Sequence, residues 1–159
     1  MLNKTGIPTK SQTLSRFPQE NILIKPKAVI ECFEDIPCNP CETACPFGAI
    51  TIGPNINIQP QLDFDKCTGC TLCVSSCPGL AIFVVQIKGD QALFKIPYEF
   101  LPKPQKGEIW DGVNRKGEVI CDALIEGVRE TNKMDHTAIV TARVPKEFLH
   151  DFIAVRERK

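Results

Sequence analysis

From residue 27 onward, short apolar or alternating runs bounded by Gly, Pro and Asn dominate the chain and predict a succession of strands. Around the cysteines these runs fall at 27–32, 49–52, 61–65 and 81–87, so each cysteine segment has a strand on both sides. Beyond Lys88 they fall at 91–96, 107–113, 118–128 and 137–144, with a turn at 114–117. Pro145, followed by Phe148, Leu149, Phe152 and Ile153 at helical spacing, predicts a closing helix. Residues 1–27 hold three prolines and no sustained period, and read as an extended N-terminal arm. The expected organisation is α+β: the arm at 1–27, a cysteine-rich domain at 28–88, and at 89–159 a small, mostly-β module with a C-terminal helix that docks a partner.

Sliding the sequence by 32 residues exposes an internal repeat. Cys38, Cys41, Cys45, Pro46, Ala49 and Ile50 fall on Cys70, Cys73, Cys77, Pro78, Ala81 and Ile82. Two copies of a strand, cysteine loop, short helix and strand imply a pseudo-twofold domain. Neither copy can bury a core alone, so the two pack together around whatever the thiols hold.

The second copy, Cys67-Thr-Gly-Cys-Thr-Leu-Cys-Val-Ser-Ser-Cys-Pro78, is the C-x₂-C-x₂-C-x₃-C-P run of bacterial [4Fe-4S] proteins without departure. Two-residue gaps let three thiolates wrap a cubane from one tight loop. The fourth cysteine opens in the other direction and reaches a second cluster. Zinc usually takes two paired knuckles or a pair plus histidines, and the two histidines, His136 and His150, lie far downstream. In the first copy the position matching Cys67 is Asp35. Two accounts compete: Asp35 ligates through oxygen, or a three-residue insertion moves the first thiolate back to Cys32. The softer ligand favours Cys32, and omitting Cys121 then leaves eight cysteines for two complete sites. Crossed ligation assigns Cys32, Cys38, Cys41 and Cys77 to one [4Fe-4S] cluster and Cys67, Cys70, Cys73 and Cys45 to the other. Cys121, inside an apolar run, reads as a packed small hydrophobe.

Charge adds a contrast within the chain. Lys plus Arg and Asp plus Glu both total 19. Residues 31–87, however, carry one basic residue, Lys66, against Glu31, Glu34, Asp35, Glu42, Asp63 and Asp65. An acidic centre disfavours phosphate backbones and suits a basic partner surface. One Trp, one Tyr and nine Phe form no stacking array interleaved with basic residues, so nucleic acid is not an expected partner. No apolar run approaches a membrane span, and nine cysteines without a secretory leader predict a cytoplasmic protein using thiols as metal ligands. No nucleotide fingerprint or catalytic set is present, and Asp111, His136 and His150 read as surface or capping residues, so no catalysis is expected from this chain alone.

The stretch 28–88 resembles the bacterial-type two-[4Fe-4S] ferredoxins, matching throughout the second motif and at Cys38, Cys41, Cys45 and Pro46 of the first. That resemblance implies a pseudo-twofold ferredoxin-type fold and low-potential one-electron transfer. A looser likeness runs from Ile-Glu-Cys-Phe-Glu-Asp-Ile-Pro-Cys-Asn-Pro-Cys through Ile-Pro-Tyr-Glu-Phe-Leu-Pro to Arg-Val-Pro-Lys-Glu. It is similar to the iron-sulfur subunits that accompany flavin-dependent amino-acid dehydrogenases of the proline or hydroxyproline type. This likeness implies a hetero-oligomer in which the chain relays electrons between a flavin-containing dehydrogenase subunit and an acceptor. A free-standing ferredoxin and a cluster-stabilised structural protein are the alternatives. The arm and β module favour a docked subunit, because a soluble shuttle needs neither.

Overall fold

The computed structural model describes residues 7–33, 38–54, 59–78, 80–100, 102–130 and 138–158. Its main strands are β1 (Lys27–Ile30), β4 (Ile82–Lys88), β5 (Gln91–Tyr98), β6 (Ile109–Val113), β7 (Val119–Arg129), β8 (Ala138–Pro145) and β9 (Ala154–Arg156). They form one seven-stranded antiparallel sheet in the order β1-β4-β5-β8-β7-β6-β9. A two-stranded ribbon, β2 (Ile50–Thr51) with β3 (Gln61–Leu62), and two short helices, α2 (Pro40–Ala44) and α3 (Leu72–Ser76), complete the cysteine-rich part. The fold is α+β, as expected.

Period-two alternation decides which face each strand residue serves. In β5 the residues Ala92, Phe94, Ile96 and Tyr98 are buried while those between them are partly exposed. Strands β1 and β4 are apolar on both faces because two cores meet across them. Val29, Phe83 and Val85 enter the larger core with Phe94, Trp110, Ile125 and Phe152. Ala28, Ile30, Ile82 and Val84 enter the smaller one with Cys41, Cys67, Cys73 and Val74. Strands β1 and β4 are thus the wall shared by cysteine domain and β module.

The expected boundary after Lys88 falls inside the tight β4–β5 hairpin, where Gly89 takes a left-handed φ of 62°. The two parts therefore share one hydrogen-bonded sheet. The pseudo-twofold is visible in the pairings: β1 with β4, and β2 with β3, both antiparallel.

Two expectations change. The described part of the arm is not extended: α1 (Lys10–Arg16) forms there, opened by a capping box in which Thr9 and Gln12 satisfy each other's backbone N–H groups. A 3₁₀ turn at Ile22–Ile24 follows and buries Leu23. The closing segment is not an α-helix either. A single 3₁₀ turn at Lys146–Phe148 brings Leu149 and Phe152 into the larger core, after which β9 pairs with β6. With those two side chains buried, the chain goes on to satisfy its backbone by pairing β9 with β6.

Candidate iron-sulfur site

The two helices and the loops before them place the cysteines by repetition. Pro40 sits in the first turn of α2 and Cys41 follows it, buried; Cys73 occupies the corresponding buried place in α3. Cys45 and Cys77 are the C-caps of the two helices. Each accepts a hydrogen bond at Sγ from the backbone N–H four residues on, Ala49 and Ala81, both at 3.4 Å. The twofold thus extends to individual sulfur atoms.

The loop before α3 is bent by two residues in left-handed conformation, Gly69 and Thr71, each with φ 72°. Glycine is required at the first: a Cβ there would stand 2.7 Å from Pro26 Cβ and 2.8 Å from its carbonyl oxygen. Thr71 has the Cβ penalty of this conformation but is held in place, since its buried Oγ1 accepts a hydrogen bond from Arg129 Nη2 at 2.8 Å. Lys27 Nζ donates to the Cys67 carbonyl at 2.7 Å, and the Ala28 N–H donates to Cys67 Sγ at 3.3 Å. Around the first copy, Arg16 Nη2 donates to the Cys32 carbonyl at 3.2 Å and the guanidinium lies 5.0 Å over the Phe33 ring. Cations therefore approach both cysteine loops from elements outside them.

Cys45, Cys67, Cys70 and Cys73 line one pocket, about 320 Å³ including its mouth, walled by Ala28, Ile50, Leu62 and Val84. Burial pushes the Cys73 thiol up to about 12, with Cys67, Cys70, Cys45 and then Cys41 adding to it. Burial likewise pushes Cys41 up to about 11, opposed by the Glu42 N–H and reinforced by Cys77, Cys38 and Cys32. Cys45 thus joins Cys67, Cys70 and Cys73 around one pocket as one quartet, and Cys77 acts on Cys41 together with Cys38 and Cys32 as the other, with Cys41 also acting on Cys73 across the two. Gathered thiolates in an apolar pocket repel one another, and a polycationic soft-metal core relieves that repulsion, so the donor chemistry fits an iron-sulfur group. Among the described residues no group of three His, Cys, Asp or Glu side chains is arranged around a single metal ion.

Asp35 and His136 lie outside the described residues. Cys121 stands apart from both quartets, opposite Gly112 in the β6–β7 pair and packed against the larger core. Burial, then Asp122 and Glu147, raise its thiol to about 11. His150 packs edge-on against Phe17 at 4.7 Å, and Asp111 accepts from Arg158 Nε at 2.9 Å. The sequence pattern did not single out Arg16, Lys27, Arg115 or Arg129. Each reaches the cysteine region across many residues, and no local spacing encodes such a contact.

Residues 36–81 match a family described as the 4Fe-4S dicluster domain. This stretch is a ferredoxin-type 4Fe-4S dicluster domain, and the remainder of the chain lies outside the match. The ferredoxin-type protein NapF of Haemophilus influenzae is 36% identical over 58 residues, covering 35% of this chain and 33% of that protein. A subunit of an ion-translocating oxidoreductase complex from Methanosarcina acetivorans is 43% identical over 47 residues, 30% of this chain and 17% of the relative. The pyruvate synthase subunit PorD of Methanocaldococcus jannaschii is 39% identical over 51 residues, 32% of this chain and 57% of the relative. The chain thus spans only part of each relative, and none of the three is named as a partner of a flavin dehydrogenase. No solved structure matches the chain.

Proposed function

We propose that this chain is the iron-sulfur electron-transfer subunit of a redox complex, with one [4Fe-4S] cluster on Cys32, Cys38, Cys41 and Cys77 and a second on Cys67, Cys70, Cys73 and Cys45. The observation that supports the reading is the single pocket in which Cys45 of the first repeat meets Cys67, Cys70 and Cys73 of the second. When bound, such clusters supply one-electron oxidation and reduction at low potential. The chain's own residues supply the thiolates, the N–H groups on Cys45, Cys67 and Cys77, and the apolar walls that limit water.

The complex we infer contains a flavin subunit that oxidises an amino acid, and this chain passes electrons between it and an acceptor in the cytoplasm. Support for the flavin partner is the sequence likeness outside the cysteine motifs, carried by 96–102 and 143–147. The 4Fe-4S match and the two relatives named as subunits support a role within an assembly. Among the described residues no helix is long and apolar enough to cross a membrane.

Two measurements test this. Protein purified without oxygen is expected to hold about eight irons and about eight sulfides per chain. Stoichiometric zinc with no sulfide would defeat the cluster assignment. Purification from the native source is expected to bring down a flavin-containing subunit; an iron-loaded chain that elutes alone and free of flavin would make it a free ferredoxin.

A further inference from the structure

The acidic composition of 31–87 predicts a negative docking face, yet two of these carboxylates, Glu31 and Glu42, are turned inward. Glu31 is buried against Arg115 and the half-buried Glu42 accepts the Ile52 N–H, while Asp63 and Asp65 remain exposed. The side chains that reach the cysteine loops from elements outside 31–87, Arg16, Lys27 and Arg129, are cationic.

The second quartet has the open side. Cys70 is exposed, whereas the other cysteines are buried or half-buried. The loop that carries it separates two depressions. On one side is the thiol pocket, with Phe47 at its mouth, 49% exposed. On the other is a cleft of about 760 Å³, open to solvent, between this loop and the outward face of β5, β8 and β7. Thr141 lies opposite both Lys95 and Gly127 in the sheet, so the floor is made of small side chains at the β7 bulge. A Cβ added to Gly127 would meet nothing within 4 Å. Lys95 and Arg129 flank this floor, and the lining includes no carboxylate. Leu72, beside the loop, is 45% exposed. Exposed apolar side chains beside a concave, cationic surface have the make-up of a protein-binding patch rather than of idle surface.

We propose that this cleft is the electron port of the second quartet, and that its occupant is an acidic, protruding segment of the redox partner. The proposal rests on the cluster reading above. Lys95 and Arg129 steer the carboxylates in, the small floor at Thr141 and Gly127 admits the segment, and Leu72 beside the loop contacts its apolar flank. Arg129 also holds Thr71, so occupancy of the cleft bears on the loop that presents Cys70. Per encounter one electron crosses: the second site loses it and the partner's one-electron acceptor gains it, or the reverse, with no bond or proton exchanged.

The test uses the full iron-loaded chain and two inorganic oxidants of opposite charge, hexacyanoferrate(III) and hexaammineruthenium(III), with hexaglutamate as competitor. In stopped flow at low salt, Lys95→Glu is expected to slow oxidation by hexacyanoferrate about tenfold and to accelerate oxidation by the ruthenium complex. Hexaglutamate is expected to slow the wild-type reaction with hexacyanoferrate and to leave the variant untouched. Lys95→Gln, which removes charge without reversing it, shows a smaller effect in the same direction and serves if Lys95→Glu loads iron poorly. Unchanged rates at unchanged iron content would overturn the port, and a charge effect without hexaglutamate competition would reduce the cleft to a small-anion site. If the wild type holds no iron, the cluster reading fails instead. Calorimetric titration of hexaglutamate into wild type and Lys95→Glu then decides the cleft on its own.

Discussion

The Arg115 guanidinium lies against the Glu31 carboxylate, with each side chain only 9% exposed. Arg115 sits in the β6–β7 turn and Glu31 immediately precedes Cys32, so this pair fastens the β module to the start of the first cysteine loop. Arg115 Nη1 also donates to the His150 carbonyl at 2.7 Å, which leaves the guanidinium well satisfied.

Arg115→Ala strands a buried carboxylate and is expected to cost about 3–5 kcal/mol of stability. Denaturant titration of the apo and iron-loaded protein checks this. A loss under about 1 kcal/mol would place the pair among exposed ones.

Gly69→Ala forces a Cβ onto Pro26 in a left-handed residue that itself costs about 1–2 kcal/mol. The loop carrying Cys67 and Cys70 must shift, and iron content is expected to fall from about eight to about four per chain. Retention of full iron would mean that the loop has other ways to turn.

Cys32→Ala is expected to degrade or remove the first cluster, seen as loss of iron and a three-iron electron paramagnetic resonance signal, while Asp35→Ala leaves the iron count intact. The opposite result makes Asp35 the ligand. Cys121→Ala is expected to change iron content little, since that thiol packs against Gly112 and the larger core.

Burial, followed by the charge of Lys10, holds the His150 imidazole below its ordinary 6.5, with Arg115 acting in the same sense and Asp151 and Glu20 against it. The unfolded chain therefore binds this proton more readily. Its contribution to stability is complete above about 6.5 and is lost as pH falls through that value toward the lowered folded one. His150→Gln is expected to flatten the denaturation midpoint over this range, and an unchanged slope would assign the acid sensitivity elsewhere.

The cysteine repeat was legible because ligand spacing is a local property: Cys67 to Pro78 carry their chemistry in twelve consecutive positions. Most strands were legible for a similar reason, as in β5, where inward and outward residues alternate without interruption. The arm helix was not. Its buried residue is a threonine, Thr13, and its start depends on a Thr9–Gln12 box rather than on apolar periodicity. At the other end, Phe148, Leu149, Phe152 and Ile153 carry a true helical period, but one 3₁₀ turn suffices to bury the two that matter. The cations beside the cysteine loops were hidden because Arg129 and Thr71, or Lys27 and Cys67, meet only once the sheet has formed.

The strand order has a consequence for assembly. Among the described residues the two edges of the large sheet are β1 and β9, four and three residues long. Such short edges offer little template for strand addition, which limits both aggregation and any partner that would bind by extending the sheet. Along these edges of the described sheet, recognition by a partner would fall to side chains on a face or in a cleft, in charge and shape rather than in backbone pairing.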